Sequence, residues 1–267
     1  MNAGSRFTFL PDHTFLDRAA TSGRKVAQEV AEAIENGEMP RRYQRNAQTI
    51  RPQDQASLAR ARVLLVGCGG LGGHVLEFLA RAGVGTILAC DPDRIELHNA
   101  NRQILVTSGT LGRPKVQAAC ERAAEANPLV AVEPFPEGFH AGMFQGVGIA
   151  VDCLGGSAHR KDLQTMAATA NTPLVSAGVS GWTALVSTTW PGETGLGEFM
   201  NERENDSEFA LGIPSPVVGF AASLQATEVI RILTGAPSTL RGSLLVADLT
   251  EMRFSSISLQ TGLDCLS

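Results

Sequence analysis

The sequence predicts an α/β fold built on a doubly wound, mostly parallel sheet, with antiparallel strands added in the C-terminal half. The first observation is an alternation of short apolar runs with amphipathic segments from residue 61 onward. The second is a glycine-rich turn at residues 67–72, which joins the first apolar run to the first amphipathic segment. The third is a change after residue 173, where a short Gly/Ser turn separates two strand-like runs.

Residues 1–40 are predicted to form a helical appendage, and residues 41–267 a single domain. Helical spacing of apolar residues covers Asp17–Asn36, and Gly37 and Pro40 follow it as stop signals. The polar segment that comes next is rich in Arg and Gln. It predicts a helix or an arm that leads into the domain.

The first half of the domain is predicted to alternate buried strands with helices. Uniformly apolar runs are typical of strands buried on both faces, as in a parallel sheet covered by helices on both sides. The predicted strands are Val63–Val66, Thr86–Cys90, Val130–Glu133 and Gly148–Cys153, and the predicted helices are Gly70–Ala82, Lys115–Ala126 and a third that Ser157 caps and that ends near Ala170.

The second half is predicted to contain antiparallel strands, a long loop and one strong helix. The loop covers residues 191–213, is acidic and glycine-rich, and has no periodicity of its own. Such a stretch is typical of a functional loop or of disorder. The predicted strands are Pro173–Ala177, Thr183–Trp190, Ser243–Asp248 and Arg253–Leu259, and the predicted helix is Val217–Thr234.

The composition is that of an ordinary globular protein without a basic surface. The 267 residues are 43% hydrophobic and 18% charged, and the formal net charge is -5. An acidic chain gives no electrostatic reason to expect nucleic acid or an anionic membrane as a partner. The N-terminus has no basic start followed by an apolar core, and no apolar run reaches the length of about 20 residues that spans a bilayer. These features predict a cytoplasmic protein with no nucleic-acid or membrane partner.

Cysteine and histidine spacings give no sign of a metal centre. The five cysteines form no C-x-x-C pair, and the five histidines are scattered. We therefore expect reduced, mostly buried cysteines and no zinc site.

The most informative motif is the glycine turn after Val63–Val66. Gly67, Gly69 and Gly72 fit G-x-G-x-x-G, a turn that lets the backbone approach a phosphate at a helix N-terminus. Asp91 ends the second predicted strand, where a carboxylate reaches the ribose hydroxyls of a nucleotide whose phosphates lie on the turn. These residues alone are compatible with a Rossmann-like NAD-dependent oxidoreductase as well as with an ATP-binding enzyme.

Cations after the second strand favour a triphosphate over a dinucleotide. Arg102 and Lys115 lie in segments that return toward the carboxyl ends of the strands, and Asn99 and Gln103 can add polar contacts. Two cations beside a triphosphate neutralise the charge that develops as pyrophosphate leaves. A simple nicotinamide site needs little cationic charge beyond the helix dipole.

An ordered series of short motifs covers residues 42–259. The motifs are Arg42-Tyr43-Gln44-Arg45, Gly67-Cys68-Gly69-Gly70-Leu71-Gly72, Ala82-Gly83-Val84-Gly85, Asp91-Pro92-Asp93, Asn101-Arg102-Gln103, Gly112-Arg113-Pro114-Lys115, Val151-Asp152-Cys153 and Gln225-Ala226-Thr227-Glu228. In this order and spacing the chain resembles the ThiF/MoeB/HesA family, the bacterial relatives of ubiquitin-activating enzymes, in a form without zinc.

The resemblance implies a reaction and its partners. Members of the family bind ATP and Mg²⁺ and adenylylate the C-terminal Gly-Gly carboxylate of a small ubiquitin-like sulfur carrier, releasing pyrophosphate. It also implies a homodimer, with a nucleotide-binding half at residues 61–155 and a carrier-binding half at residues 156–260.

The family's site roles carry over to matching residues of this sequence. The resemblance assigns catalytic contacts with the phosphates to Arg102 and Lys115, and contact with the partner subunit's nucleotide to Arg45. The nucleotide-binding residues that it implies are Gly67, Gly69, Gly70, Leu71, Gly72, Asp91, Asp93, Asn99, Arg102, Gln103 and Lys115.

One position departs from the family pattern. The family follows Val-Asp-Cys with Thr-Asp-Asn, whose aspartate helps to hold magnesium, whereas this chain has Leu154-Gly155-Gly156. Asp152, three residues before Gly155, is the remaining candidate for a metal ligand, and a structural role at the strand end is the alternative. The departure leaves a second hypothesis open, an altered family member that binds nucleotide or carrier without efficient adenylylation.

Overall fold

The computed structural model describes residues 7–200 and 211–259 of the chain. Residues 201–210 of the predicted acidic loop lie outside the described residues, and so does Cys265, one of the five cysteines. The strands are β1 (Thr8–Leu10), β2 (Glu38–Pro40), β3 (Arg62–Val66), β4 (Thr86–Cys90), β5 (Ala131–Phe135), β6 (Ile149–Asp152), β7 (Leu174–Ser180), β8 (Thr183–Thr189), β9 (Ser243–Asp248) and β10 (Arg253–Ser258). The α-helices are α1 (Asp12–Ser22), α2 (Val26–Glu35), α3 (Pro52–Arg60), α4 (Gly70–Ala82), α5 (Lys115–Ala126), α6 (Arg160–Thr169), α7 (Leu196–Phe199) and α8 (Ser215–Leu233).

Eight strands form one sheet in the order β10-β9-β8-β7-β6-β3-β4-β5. The strands from β7 to β5 in that order pair in parallel, and those from β7 to β10 pair antiparallel. This arrangement confirms the predicted fold class, including the antiparallel extension. Strand β3 lies between β4 and β6. The chain continues from β3 to β4 and β5 on one side, and then crosses to β6 on the other side of β3. Ligands of doubly wound sheets bind outside the carboxyl ends of the strands at such a switch point.

The central strands bury their two faces against different layers. Leu65 and Ile87 belong to a cluster with side chains of α4, α5 and α8, whereas Leu64 and Leu88 belong to a cluster with side chains of α6. Successive strand side chains point to opposite faces. The uniform apolarity of β3 and β4 is therefore explained by helices on both sides of the sheet.

Helix α8 is a core helix. By length and composition alone, this one helix of the described chain is apolar enough to cross a membrane. In the fold it packs against α4 and against strands β7 and β8. Its apolar character therefore has a structural explanation within the domain.

The predicted single helix over Asp17–Asn36 is wrong. Two helices, α1 and α2, cover this stretch, and Gly23 ends α1 with a φ of +69°. A residue without Cβ adopts this left-handed conformation at little cost, which is why helices commonly end there. Phe15 of α1 and Ile34 of α2 share a buried cluster with Tyr43, so the N-terminal helices pack against the segment that follows them.

Two other details differ from the expectations. Helix α6 begins at Arg160 with His159 at its N-cap, so the predicted cap at Ser157 lies too early in the chain. The short helix α7 lies inside the predicted loop at residues 191–213. The division into an appendage at residues 1–40 and one domain after it stays a prediction.

Candidate functional site

A cleft of about 500 Å³ opens at the carboxyl ends of β3, β4 and β6. It lies at the switch point of the sheet, where a ligand of this fold class is expected. The predicted site residues on its lining are Gly67, Gly69, Gly70, Leu71, Asp91, Asp93, Asn99, Arg102, Gln103 and Lys115.

Two glycines of the turn are required by close backbone contacts. Gly67 has a φ of +95°, and a Cβ there would lie 2.6 Å from the carbonyl oxygen of Cys153. A Cβ on Gly72 would lie 1.8 Å from the carbonyl oxygen of Gly67. Gly72 is buried and does not belong to the lining. Its contribution is to let α4 approach the turn, whereas the other glycines border the cleft.

Within residues 7–200 and 211–259, no side chain caps the N-terminus of α4, which opens onto the cleft. Gly69 occupies the N-cap position and makes no side-chain cap, and Gly70 and Leu71 line the cleft. The first N–H groups of a helix have no intrahelical acceptor and carry partial positive charge. These donors are therefore suited to an anion, and phosphate is a common occupant of such a turn.

A carboxylate and an ammonium group lie side by side at the end of β4. Asp91 accepts hydrogen bonds from the backbone N–H groups of Cys68 and Asp93, at 2.7 and 2.8 Å. The Nζ atom of Lys115 lies 2.7 Å from Oδ2 of Asp93 and 3.9 Å from Oδ2 of Asp91. Burial raises the pKa of Asp91, and the Lys115 ammonium and the two N–H donors partly oppose that effect. The bond from Cys68 fixes the glycine turn to the end of β4.

The segment after β4 supplies two buried amides and one cation. Asn99 and Gln103 are buried, and Oδ1 of Asn99 accepts a hydrogen bond from the backbone N–H of Glu96 at 3.0 Å. Arg102 donates to Oδ1 of Asn101 at 2.9 Å. This acceptor is neutral, so it leaves the positive charge of Arg102 available to an anionic ligand.

Besides Gly72, two predicted site residues lie off the lining of the cleft in their own chain, Arg45 and Asp152. Arg45 is exposed to solvent. Asp152 is buried, with Oδ2 accepting a hydrogen bond from Arg160 at 2.6 Å and Oδ1 accepting one from the backbone N–H of Leu154 at 3.1 Å. Because Asp152 is buried off the lining and pairs with the Arg160 cation, it does not suit the magnesium role that the sequence suggested for it.

Arg160 shapes one wall of the cleft, and the sequence analysis missed it. Its buried guanidinium donates to Asp152 and to the carbonyl oxygens of Leu154 and Gly156, at 2.6, 2.6 and 2.7 Å. One side chain therefore fixes the segment Leu154-Gly155-Gly156, which we call the β6 loop. The available signal was Asp152 itself, because a carboxylate inside an apolar strand requires a polar or cationic partner.

The cleft has open space at Gly155. Its described residues also do not form a site for a metal ion. A Cβ on Gly155 would meet no atom within 4 Å. Among residues 7–200 and 211–259, no group of three or more His, Cys, Asp or Glu side chains is placed to hold a metal ion. The lining carboxylates, Asp91 and Asp93, both lie within 4.0 Å of the Lys115 ammonium, which repels a metal cation. The residues present therefore do not fit a magnesium ion held by the protein.

Comparison with known proteins gives matches over most of the chain. The ThiF family model matches residues 43–265. The sulfur carrier protein ThiS adenylyltransferase of Escherichia coli (strain K12) is 31% identical over 219 residues, which are 79% of this chain and 87% of that protein. The molybdopterin-synthase adenylyltransferase of the same strain is 30% identical over 79% of this chain and 88% of that protein.

Solved structures show the same architecture. The crystal structure of E. coli MccB with succinimide has a TM-score of 0.71 and 25% sequence identity, over 84% of this chain and 73% of that chain. The crystal structure of PaaA, at 22% identity and a TM-score of 0.68, shares the fold. The chain therefore belongs to the ThiF family, and its relatives identify it as an adenylyltransferase.

Proposed function

We propose that the protein uses ATP to adenylylate the C-terminal Gly-Gly carboxylate of a small ubiquitin-like sulfur carrier, with release of pyrophosphate. The observation that carries this proposal is the convergence of the uncapped α4 N-terminus, Arg102 and Lys115 on one cleft. The names of two relatives, adenylyltransferases of the sulfur carrier ThiS and of molybdopterin synthase, support the acceptor class.

In this proposal the nucleotide lies across the carboxyl ends of β3 and β4. Its phosphates lie on the glycine turn, and its ribose hydroxyls donate to Asp91. A carboxylate has about four lone-pair positions, and backbone N–H groups use two of them on Asp91, so acceptor capacity remains. Phe139, on the lining beyond β5, offers an apolar surface for the base.

The proposed reaction is a displacement at the α-phosphorus. A carboxylate oxygen of the carrier forms a bond to phosphorus, the bond from phosphorus to the bridging oxygen of the β-phosphate breaks, and pyrophosphate leaves with the electron pair. The carrier carboxylate is ionised at neutral pH, so no protein base is needed. Positioning, the α4 N–H donors and the cations Arg102 and Lys115 supply the catalysis.

Magnesium is implied by the resemblance, together with ATP. Mg²⁺ in nucleotide sites is usually bound by one or two carboxylates, phosphate oxygens and water. The carboxylates of this cleft do not fit that role, because Lys115 pairs with Asp93 and lies near Asp91. No step of the proposed reaction depends on an ion held by the protein.

We further propose a homodimer in which Arg45 of one subunit reaches the cleft of the other. Arg45 is exposed and lies off the cleft lining of its own chain, which fits a contact made in trans. An arginine supplied by a second subunit can stabilise charge on a reacting phosphate. A cytoplasmic location and the division into halves at residues 61–155 and 156–260 also stay predictions.

Carrier-dependent exchange of pyrophosphate into ATP tests the proposal. Purified protein is offered ATP, magnesium and small carriers ending in Gly-Gly, with the same carriers lacking the last glycine as the matched control. We expect exchange only with the intact tail. The proposal fails if the protein neither binds ATP nor supports exchange with any carrier.

The second hypothesis, an altered member that binds without efficient turnover, is favoured by Gly155. Persistent ATP binding without carrier-dependent exchange would support it, and a gain of exchange in Gly155→Asp would support it further. The NAD-dependent alternative gives Arg102 and Lys115 no role. A thermal-shift comparison of ATP with NAD separates it, because the ligand that binds the folded state raises the apparent melting temperature.

A further inference from the structure

The carboxylates at this cleft already have partners. Asp93 pairs with Lys115, and Asp91 accepts two backbone N–H groups and lies 3.9 Å from the same ammonium. Asp152, just behind the lining, pairs with Arg160 and accepts the N–H of Leu154. A metal ion at any of these carboxylates has to displace or approach a positive group.

Of the three Lys and Arg side chains on the described lining, Lys115 and Arg160 pair with carboxylates, whereas Arg102 does not. Arg102 donates to the side-chain oxygen of Asn101 and to the carbonyl oxygen of His98. Both acceptors are neutral, so these bonds do not neutralise its charge. The α4 N-terminus adds N–H donors with no capping side chain. Where the chain turns from β6 toward α6, the described lining contains Gly155, His159 and Arg160 and no carboxylate. Arg102 and the α4 N-terminus therefore suit a negatively charged ligand.

We propose that this cleft binds ATP in its metal-free form, with protein cations and the α4 N-terminus neutralising the triphosphate in place of a carboxylate-held magnesium ion. The inference rests on the proposed function in that ATP is the ligand. Free ATP carries two more negative charges than its magnesium complex, and those charges meet Arg102 and the helix N-terminus.

Gly155 is the position at which the inference can be tested. A Cβ there meets nothing within 4 Å, and its φ lies outside the left-handed region, so the backbone and the space around Cβ accept a residue other than glycine. An aspartate at this place adds a negative charge to the lining. It repels metal-free ATP and provides an oxygen ligand for Mg²⁺. An asparagine has nearly the same size and no charge.

The experiment is titration calorimetry of the full-length protein with ATP, once in excess EDTA and once in excess Mg²⁺, without carrier. For the wild type we expect ATP to bind at least as tightly in EDTA as in Mg²⁺, because the metal-free form is the one whose charges the cleft neutralises. ATP binding that is weaker in EDTA than in Mg²⁺ by more than about threefold overturns the inference and leaves the proposed function standing. No ATP binding in either buffer overturns both.

The variants give the second arm. Gly155→Asp is expected to bind ATP at least about tenfold more weakly in EDTA than in Mg²⁺, whereas Gly155→Asn keeps the wild-type pattern. Equal binding of ATP to Gly155→Asp in both buffers contradicts the inference, because such a result would show that the β6 loop does not lie near the phosphates. Unchanged denaturation midpoints of both variants establish that the differences arise from binding.

Discussion

Arg160 and Asp152 form an ion pair with an N–O distance of 2.6 Å, and each side chain is 1% exposed. The same guanidinium donates to the carbonyl oxygens of Leu154 and Gly156. The pair therefore joins the carboxyl end of β6 to the β6 loop on the cleft wall. Because both charges are removed from water, the attraction between them has to offset the hydration that each has lost.

Asp152→Asn is expected to lower the free energy of unfolding by about 3–5 kcal/mol, because it leaves the buried Arg160 charge without a counter-ion. Urea denaturation measures the change. The matched control is Glu32→Gln, which removes the carboxylate of the exposed pair with Arg24 and is expected to have little effect. Equal free energies of unfolding for the two variants would show that the buried pair does not stabilise the folded state more than the exposed pair does.

Gly72→Ala is expected to destabilise the protein by about 1–3 kcal/mol or more and to abolish ATP binding. The added Cβ would lie 1.8 Å from the carbonyl oxygen of Gly67, and a backbone atom has little room to move away. Gly138→Ala is the control, because Gly138 lines the cleft and a Cβ there meets nothing within 4 Å. Thermal unfolding and ATP titration are compared for both. Equal behaviour of the two variants would show that α4 tolerates displacement from the turn.

The sequence was sufficient for the central sheet because its signals are local. Strands β3 and β4 are apolar after their first residues, Arg62 and Thr86, and α5 begins and ends at the predicted residues 115 and 126. The N-terminal helices were not predicted correctly, because helical periodicity continues across the break at Gly23. The spacing of apolar residues indicates which face of a helix is buried. It does not indicate where one residue with a left-handed φ ends the helix.

Some residues of the cleft could be placed from the sequence and others could not. The positions of Asp91 and Lys115 on the cleft were predictable, because Asp91 ends a strand and Lys115 begins a helix. Arg160 was not, because its partners are Asp152 and two loop carbonyls that only the turn from β6 into α6 brings together. A residue that acts by holding a loop in place leaves no spacing pattern of its own.

Glu228 is expected to make stability depend on acid pH. It is buried on α8, and its carboxylate accepts hydrogen bonds from Thr188, Ser238 and Thr239. Burial raises the pKa of Glu228, but the hydrogen bonds outweigh it, and the pKa lies below its usual value of 4.5. A lowered folded-state pKa stabilises the fold at pH values above the unfolded pKa, and this contribution is lost as the pH falls through the folded pKa.

The free energy of unfolding is therefore expected to fall as the pH decreases below 4.5, and Glu228→Gln is expected to reduce that slope. Urea denaturation at a series of pH values measures it. Glu251→Gln, at an exposed position, serves as the control and keeps the wild-type slope. Identical slopes in the two variants would assign the acid sensitivity to other carboxylates.

Lys115→Met is expected to lower kcat/KM for carrier-dependent exchange by about 10²–10³-fold, since it removes a preorganised cation from the cleft. Its ammonium lies at 2.7 Å from Asp93 and 3.9 Å from Asp91, so the substitution also leaves two carboxylates without their cation. Exchange kinetics and ATP titration separate the effects on turnover and on binding. Lys25→Met, at an exposed position before α2, is the control. A loss no larger than that of the control would remove Lys115 from the proposed mechanism.

Arg45→Ala tests whether the second subunit completes the site. Because Arg45 is exposed and lies off its own cleft, we expect the variant to lose exchange activity more than ATP affinity. Arg45→Ala and Lys115→Met subunits, inactive alone, are then unfolded together and refolded as a mixture. If each cleft takes Lys115 from one subunit and Arg45 from the other, half of the dimers are mixed and have one complete cleft, so about a quarter of the wild-type activity returns. Exchange that stays at the level of the separate variants would place Arg45 in the cleft of its own chain or outside the reaction.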